Sequence, residues 1–421
     1  MGRFSPGDSE SRARMIRIGM LGFGTVGRSV YDLLQAHTES FPDMQIVSVA
    51  VRQITEQRMA LYPTVQFTTN PDTIVTASDI DVVIEVMGGQ TETYRYLRRA
   101  LHSGKHVITA NKDLIATYGE TLQKIASAHQ LALLYGASVA GGIPILDALT
   151  NLLPGDETMQ VGGIINGTSN FILTQMSDAA MNYDDALALA QRMGIAEANP
   201  VNDVAGFDAR YKLAILAKTA FGANVVTTQI PTQGIQEINA TLLDDAKRLG
   251  YVIKPLAVAR RTGQELAMTV GPHLVPAAHL LGKIDNVQNA VQVKTRNIQD
   301  LVFTGPGAGA KPTASAVLSD LAIVHDIVCG RQLVHEKPSL QQPVIIGTAA
   351  GRYIRVTAPA TYEIDAIAQA NQIGIKTMWV RSHRATILTD TVSPATLARF
   401  EAALQQQIGA KIEIVLPVYQ E

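Results

Sequence analysis

Two acids and a lysine lie within residues 199–216, at the start of a segment that continues as the apolar run LAILAKTAFG. Asp208 and Lys212 are four residues apart, which places them on one face of a helix, one turn from each other. Asp203 precedes them in a segment that Pro200 opens and that we predict to be a loop. A carboxylate and an ammonium removed from water cost several kcal/mol each unless they are paired, so this placement suggests a working site. The alternative is a plain salt bridge at a helix start, worth about 0.3 kcal/mol.

A second group of residues has the spacing of a phosphate-binding turn. The apolar run Ile16–Leu21 predicts a strand, VGRSVYDLLQAH after it predicts a helix, and GFGTVG joins the two. The first glycine of such a turn allows a tight bend, the second lets the backbone approach a pyrophosphate, and the third lets helix and strand pack closely. The sequence therefore predicts a dinucleotide site formed by Gly22, Phe23, Gly24, Thr25, Val26 and Gly27.

The residue after the next predicted strand bears on the choice of cofactor. That strand, Gln45–Val51, ends where NAD enzymes usually carry an acid for the ribose hydroxyl. Here Arg52 occupies that region. A cation suits a 2′-phosphate and favours NADP, whereas a solvated surface arginine is the alternative.

Further strands complete the first domain. Asp81–Val86 is a continuous apolar run, as in a parallel sheet buried on both faces, and it ends at a turn that contains Gly88. His106–Ala110 is followed directly by Asn111 and by Lys112, again at the carboxyl edge where ligands bind. Lys112 is thus either an active-site lysine or an ordinary helix-start lysine. With the strand at 131–135, the pattern predicts a doubly wound sheet.

The middle of the chain carries more polar candidates. Met159–Asn166 predicts a strand that runs into a helix, where Thr168, Ser169 and Asn170 either cap the helix or contact a substrate. A helix over 183–193 leads to Glu197, which brings three acids and one lysine into one loop–helix unit.

The last third contains a glycine-rich turn and a recognisable order of elements. GPGAGAKPT at 305–313 departs from a P-loop at Ala310 and Pro312, so we interpret it as a turn before the helix Thr313–Val328. Glu336–Val344 has the composition of a linker. The pattern from 352 to 418 then predicts βαββαβ, a ferredoxin-like unit.

Composition excludes several classes of protein. The chain has 421 residues, 47% of them hydrophobic and 17% charged, with a net charge of −2, which gives no case for a nucleic-acid or membrane partner. Its single cysteine, Cys329, excludes an internal disulfide and fits a reducing, cytoplasmic location. The polar leader at 1–14 lacks the apolar core of a signal peptide.

Taken together, these motifs resemble the homoserine dehydrogenases of the monofunctional type with a C-terminal ACT domain. The resemblance rests on GFGTVG, EVMGG, ANK at 110–112, NGTSNFILTQM, the 197–216 region and TGPGAGAKPTASAVLSDL, in that order. It implies an α/β protein with a Rossmann-like cofactor domain at 15–138 plus 305–335, an α+β substrate-binding and dimerisation domain at 139–304, and an ACT-like domain at 345–421. It also implies a homodimer and leaves open a tetramer through the ACT-like domain.

The family's activity is the reversible, NAD(P)-dependent interconversion of L-aspartate 4-semialdehyde and L-homoserine, in threonine, methionine and isoleucine biosynthesis. By position, Lys212 matches the catalytic lysine that donates a proton to the carbonyl oxygen, and Lys112 matches the second active-site lysine. Asp208 and Glu197 match substrate-binding residues, with Asp203 beside them and Thr168 as a further contact. Gly307 joins the turn residues, Arg52, Gly88 and Lys112 as a cofactor contact. NADP is the expected cofactor, with NAD an option.

The chain departs from the family at three places. An acid that contributes to a sodium site, with backbone carbonyls near Val139, Gly141 and Ile143, is replaced by Gly136. A tyrosine before the substrate glutamate is replaced by Ile195. The glycine-containing loop after the first ACT strand is absent, so we expect threonine to inhibit weakly or not at all.

Two other classes of function stay open. One is a cofactor-binding regulatory protein without catalysis, against which the intact Lys112, Asp208 and Lys212 argue. The other is a nicotinamide oxidoreductase for a different amino-acid semialdehyde.

Overall fold

The computed structural model describes residues 15–329 and 343–419. They form two compact units, the first from the residues up to 138 together with 313–329, and the second from the rest. The predicted leader and nearly all of the predicted linker lie outside the described residues. Across the described ranges, no helix combines the length and apolar content that crossing a membrane requires.

Strands alternate with helices up to residue 164, five α-helices separate that strand from the next one at residue 251, and both strand pairs and helices follow in the last part of the chain. In chain order the strands are β1 (Ile16–Leu21), β2 (Met44–Ala50), β3 (Gln66–Thr68), β4 (Val82–Glu85), β5 (His106–Thr109), β6 (Leu133–Leu134), β7 (Thr158–Ile164), β8 (Tyr251–Thr262), β9 (Glu265–Pro276), β10 (Gln288–Thr295), β11 (Asp300–Pro306), β12 (Val344–Ile346), β13 (Arg352–Thr357), β14 (Ile375–Arg381), β15 (Arg384–Thr389) and β16 (Lys411–Pro417).

The helices of the described residues range from single turns to five turns. They are α1 (Thr25–Ala36), α2 (Glu56–Leu61), α3 (Asp72–Val75), α4 (Thr91–His102), α5 (Lys112–Ala128), α6 (Ile145–Asp147), α7 (Gly167–Asp178), α8 (Tyr183–Arg192), α9 (Val201–Val204), α10 (Phe207–Phe221), α11 (Ala240–Arg248), α12 (Ala310–Val328), α13 (Ile364–Ala370) and α14 (Pro394–Ile408).

The first unit is built on a parallel sheet in the order β3-β2-β1-β4-β5-β6. Its central strands are apolar on both faces because helices cover both, and helix α12 adds Val317 and Leu321 to this core. The doubly wound sheet is therefore confirmed. Segments α2, β3 and α3 were not predicted, since they are short and β3 is a three-residue edge strand without a fully buried residue.

The second unit contains a mixed sheet in the order β11-β10-β7-β8-β9-β12. Its pairs are antiparallel except for β12, which runs parallel to β9. Val344, predicted to be linker, is therefore the first residue of a strand. Helices α7 and α10 contact this sheet through β7 and β8 and carry most of the polar candidates.

The C-terminal four-stranded sheet has the order β14-β15-β13-β16, all antiparallel, which confirms the ferredoxin-like arrangement. One face packs on α13 and α14 through residues such as Ile354 and Phe400. The opposite face packs on the middle of the chain, where Arg355 on β13 pairs with Asp245 on α11 at 2.5 Å and Tyr353 donates to the same carboxylate at 2.9 Å. The two parts thus share a buried polar contact within one unit.

Candidate active site

The acid and lysine of helix α10 form a buried ion pair. Asp208 and Lys212 are 7% and 9% exposed, and Lys212 Nζ lies 2.7 Å from Asp208 Oδ2 and 2.9 Å from the carbonyl oxygen of Ile165. The contact is what the four-residue spacing predicts. An ammonium has three N–H donors, and the described residues supply two acceptors to this one. One proton of Lys212 is therefore available to a ligand.

Asn166 joins the two acids and was missed by sequence reasoning. Its amide Nδ2 donates to Asp203 Oδ1 at 2.7 Å and to Asp208 Oδ2 at 2.8 Å, while its Oδ1 accepts from the backbone N–H of Ser169. Because the oxygen caps helix α7, the nitrogen must face the carboxylates. The signal in the sequence was an asparagine directly before Gly-Thr-Ser-Asn, a strong N-cap position.

The predicted caps of α7 were wrong. Asn166 is the N-cap, because the strand ends at Ile164, two residues earlier than predicted. Thr168 instead donates to the carbonyl of Ile195 and Ser169 to that of Asp203, while Asn170 donates to the carbonyls of Ile284 and Asn286. These three side chains tie α7 to its neighbours.

Asp203 and Glu197 were both predicted to lie in one loop beside the Asp208–Lys212 pair, and the structure places them differently. Asp203 lies in the short helix α9 and not in a loop, because Pro200 fits the start of a helical turn as well as it fits a loop. Asp203 reaches the cluster through Asn166. Glu197 is exposed, and its backbone carbonyl accepts from Gln191. The structure therefore brings together Asp203, Asp208 and Lys212, but leaves the Glu197 side chain at the surface.

In the first unit, the glycine turn has the geometry that its spacing predicts. Gly22 has a φ of +99°, and a Cβ there would lie 2.8 Å from the Cα of Met87. A Cβ on Gly27 would lie 2.6 Å from the Gly22 carbonyl oxygen, while space beside Gly24, the N-cap of α1, is open. Two glycines are thus required by packing, and the third leaves room at the positive end of a helix, where a pyrophosphate fits.

The other residues of this turn are not equivalent. The Phe23 side chain is buried against Tyr31, Tyr62 and Phe67, so only its backbone can face a cofactor. Thr25 is exposed and Val26 is half-buried. Arg52 follows β2 and is exposed at the same carboxyl edge of the sheet, as a contact to a ribose phosphate requires.

A buried acid at this edge was also missed. Glu85, the last residue of β4, is 0% exposed, and its Oε1 accepts from the backbone N–H groups of Met87 and Gly88 at 2.8 and 2.9 Å. Burial raises the pKa of Glu85, and hydrogen bonds from Thr109 and the two backbone groups oppose that rise. An acid inside the apolar run DVVIEV was the signal that could have found it.

Lys112 is the first residue of helix α5, directly after the N-cap Asn111. Its Nζ lies 3.8 Å from Asp113 Oδ1, and 32% of its side chain is exposed. The helix-start reading of the sequence is therefore correct for the backbone, and the edge position leaves a binding role open.

The structure bears differently on the predicted sodium site and on the predicted cofactor contact at Gly307. The backbone N–H of Gly136 donates to Asp320 Oδ2 at 2.9 Å, and a Cβ at 136 would lie 2.7 Å from Asp320 Oδ1, so an acid at 136 would have to displace the Asp320 carboxylate. Among the described residues, no group of three His, Cys, Asp or Glu side chains could hold a metal ion. A sodium site would therefore rest on the backbone carbonyls of Val139, Gly141 and Ile143.

Gly307, the predicted cofactor contact in the glycine-rich turn, packs directly on the side chain of Asn289, which leaves no space for a Cβ.

Comparison with known proteins agrees with this geometry. Two family models match, one described as "Homoserine dehydrogenase, NAD binding domain" over residues 22–136 and one described as "Homoserine dehydrogenase" over 144–322. A homoserine dehydrogenase of Bacillus subtilis is 42% identical over 316 residues, which cover 74% of this chain and 73% of the relative.

Solved structures extend the likeness to nearly the whole chain. The crystal structure of a homoserine dehydrogenase from Thiobacillus denitrificans has a TM-score of 0.89 at 34% identity and covers 96% of this chain and 98% of its own. That of the Staphylococcus aureus homoserine dehydrogenase at pH 7.5 has a TM-score of 0.80 at 28% identity, with 96% and 99% covered. The chain belongs to the homoserine dehydrogenase family, oxidoreductases of amino-acid biosynthesis with a nicotinamide-cofactor-binding domain.

Proposed function

We propose that this protein interconverts L-aspartate 4-semialdehyde and L-homoserine with NADP as the preferred cofactor, on the route to threonine, methionine and isoleucine. The observation that carries the proposal is the buried Asp208–Lys212 pair, with Asn166 joining it to Asp203. When bound, the nicotinamide cofactor supplies or accepts the hydride.

Lys212 handles the proton in this proposal. In the direction of reduction, its Nζ gives a proton to the substrate oxygen as negative charge develops there, and in the reverse direction it takes the hydroxyl proton back. Asp208 accepts a hydrogen bond from Lys212 Nζ at 2.7 Å. This bond holds the ammonium in place, so that its third N–H group can point to the substrate oxygen.

The acids serve the substrate's ammonium group. Asp203 and Asp208 present carboxylate oxygens on either side of the Asn166 amide. Glu197 and Thr168 complete the proposed substrate contacts, although Glu197 must turn from its exposed position to take part. A zwitterionic amino acid needs such carboxylates because its ammonium group loses water on binding.

The cofactor contacts come from the first unit. The turn from Gly22 to Gly27 would hold the pyrophosphate, Arg52 the 2′-phosphate, and Gly88 and Lys112 the nicotinamide end. Arg52 supports NADP over NAD because a guanidinium binds a phosphate in a bidentate manner. A homodimer is part of the same proposal.

Turnover with homoserine and NADP, followed at the absorbance of NADPH, tests this function. We expect homoserine to be oxidised at a kcat/KM at least about 100-fold above that for serine or for other amino alcohols, since a missed polar contact in such a site costs several kcal/mol. Equal rates with another amino alcohol would assign the scaffold to a different semialdehyde. Cofactor binding without turnover of any of them would indicate a regulatory protein.

A further inference from the structure

Four side chains enclose the turn that follows strand β4. We call this group the Glu85 clamp, which consists of Glu85, Thr93, Thr109 and Asn111. Its centre is the carboxylate of Glu85, whose Oε1 accepts from two successive backbone N–H groups of the turn. Its Oε2 accepts from the hydroxyl of Thr109 on the neighbouring strand β5 at 2.5 Å. All these partners donate, so the group suits a carboxylate and would suit an amide less well.

The remaining members close the ring of hydrogen bonds. Thr109 Oγ1 accepts from the backbone N–H of Asn111 at 3.0 Å, and Asn111 Nδ2 donates to the carbonyl of Gly89 at 2.6 Å. Thr93 donates to the carbonyl of Gly88 at 2.6 Å. Gly88 and Gly89 both have positive φ, at +73° and +78°, a backbone shape that needs such support.

The clamp lies beneath the cofactor edge of the first unit. The turn it holds packs on Gly22, since a Cβ there would meet the backbone of Met87 and Val86. Asn111 Oδ1 accepts from the N–H of Leu114 and so starts helix α5, whose first residue is Lys112. One buried carboxylate therefore connects the phosphate-binding turn, the glycine turn after β4 and the backbone of Lys112.

We propose that Glu85 is a positioning residue that fixes the Met87–Gly89 turn and the start of helix α5, and thereby shapes the surface offered to the nicotinamide end of the cofactor. Glu85 itself is fully buried, so it acts through the groups that it binds. The inference rests on the proposed function only in naming that cofactor, because the clamp lies entirely within the first unit.

The test uses Glu85→Gln and Thr109→Val in the full chain. In Glu85→Gln the amide oxygen must stay with the two N–H groups, so the amide nitrogen faces Thr109 and its hydroxyl proton loses its acceptor. Thr109→Val removes the same bond from the other side at equal size, and with it the acceptor of the Asn111 N–H. We expect faster amide hydrogen exchange at 87–89 in the cofactor-free protein and NADPH binding weakened about tenfold, measured by NADPH fluorescence.

A double variant and two control variants distinguish a positioning role of Glu85 from a general loss of stability. The double variant should bind NADPH no worse than Thr109→Val alone, since that variant already lacks the bond between residues 85 and 109. Thr109→Ser keeps the hydroxyl and should restore wild-type values. Glu92→Gln removes an exposed carboxylate that pairs with Arg95, and it should change neither measurement.

The proposal would be overturned if folded Glu85→Gln had wild-type amide hydrogen exchange at 87–89 and wild-type NADPH affinity. A lower melting temperature with no change in these two measurements would also overturn it, because it would show that Glu85 only stabilises the fold. If Glu85→Gln does not fold, Thr109→Val decides in the same way. Failure of the proposed function would instead show as a wild-type protein that binds NADPH but does not turn over homoserine.

Discussion

The two proposed active-site lysines lie in contrasting environments. Lys212 is buried in helix α10 and held at 2.7 Å from Asp208, four residues away. Lys112 begins helix α5, is 32% exposed in its side chain, and lies 3.8 Å from Asp113, its neighbour in sequence. The first lysine is fixed by a buried partner one helical turn away, whereas the second lies half-exposed at the carboxyl edge of the sheet. We therefore expect Lys212 to set the rate of chemistry and Lys112 to act mainly through binding.

The largest effect should follow from Lys212→Ala. We expect kcat to fall about 1,000-fold, in the range for loss of a general acid, while NADPH affinity stays near wild type. Steady-state kinetics and NADPH fluorescence measure the two. Most of the activity surviving in a folded variant would remove Lys212 from proton transfer.

Asn166→Asp should come next. The substitution keeps the shape and the helix cap but replaces two N–H donors with a third carboxylate beside Asp203 and Asp208, so kcat should fall about 100-fold through misplacement of the pair. Asn239→Asp is the matched control, because Asn239 caps α11 in the same way and is exposed. Equal kinetics for the two variants would show that Asn166 only caps a helix.

Lys112→Ala should have a smaller effect, mostly on KM. A lost hydrogen bond to a charged group costs about 2 kcal/mol, or roughly 30-fold in kcat/KM. Lys124→Ala, on the exposed part of the same helix, should leave kinetics unchanged. A loss in kcat equal to that of Lys212→Ala would contradict the division of roles between the two lysines.

Arg52→Ala tests the cofactor preference. Without the cation, the ratio of kcat/KM for NADP over NAD should move about tenfold toward NAD. Arg17→Ala, at the amino end of β1, is the control, because it removes a partly exposed arginine from the opposite edge of the sheet. An unchanged ratio in Arg52→Ala would place the 2′-phosphate contact elsewhere.

His273 is a buried titratable residue to which we assign no role in the reaction, and burial changes its pKa. Burial is the main cause that lowers its pKa from 6.5 to about 4, so the folded protein keeps the imidazole neutral. The unfolded chain binds a proton below pH 6.5, so stability should fall by about 2 kcal/mol between pH 7 and pH 5 relative to His273→Asn. Thermal unfolding of both proteins measures this. Parallel pH curves would contradict it, and activity at pH 7 should not change.

The contrast between the lysines also explains what could be predicted from the sequence. Long apolar strands, the GFGTVG turn and the spacing of Asp208 and Lys212 are local patterns, and the structure has them as predicted. Asn166 and Glu85 gain their partners from distant segments, 42 and 24 residues away, so no local pattern marks them as part of a network. The predicted caps of α7 and the predicted loop at Asp203 were wrong for a related reason, since the sequence pattern does not fix the exact residue at which an element begins or ends.

The C-terminal sheet adds a further lesson. Its order of elements was predictable, but its attachment was not, because Arg355 and Asp245 are 110 residues apart in the chain. Removing the sheet would leave Asp245 without its partner and expose the apolar surface of α11, β8 and β9 on which Tyr353 packs. Tests of threonine inhibition are therefore better made on the full chain than on a truncated one.

The most direct test of the central claim is the kcat of Asp208→Asn, Lys212→Met and the double variant in NADP-dependent homoserine oxidation. If the buried pair acts as one catalytic unit, the double variant should be no slower than Lys212→Met alone, within about threefold. Losses that multiply across the two substitutions would show that Asp208 and Lys212 act independently and would contradict the proposed mechanism.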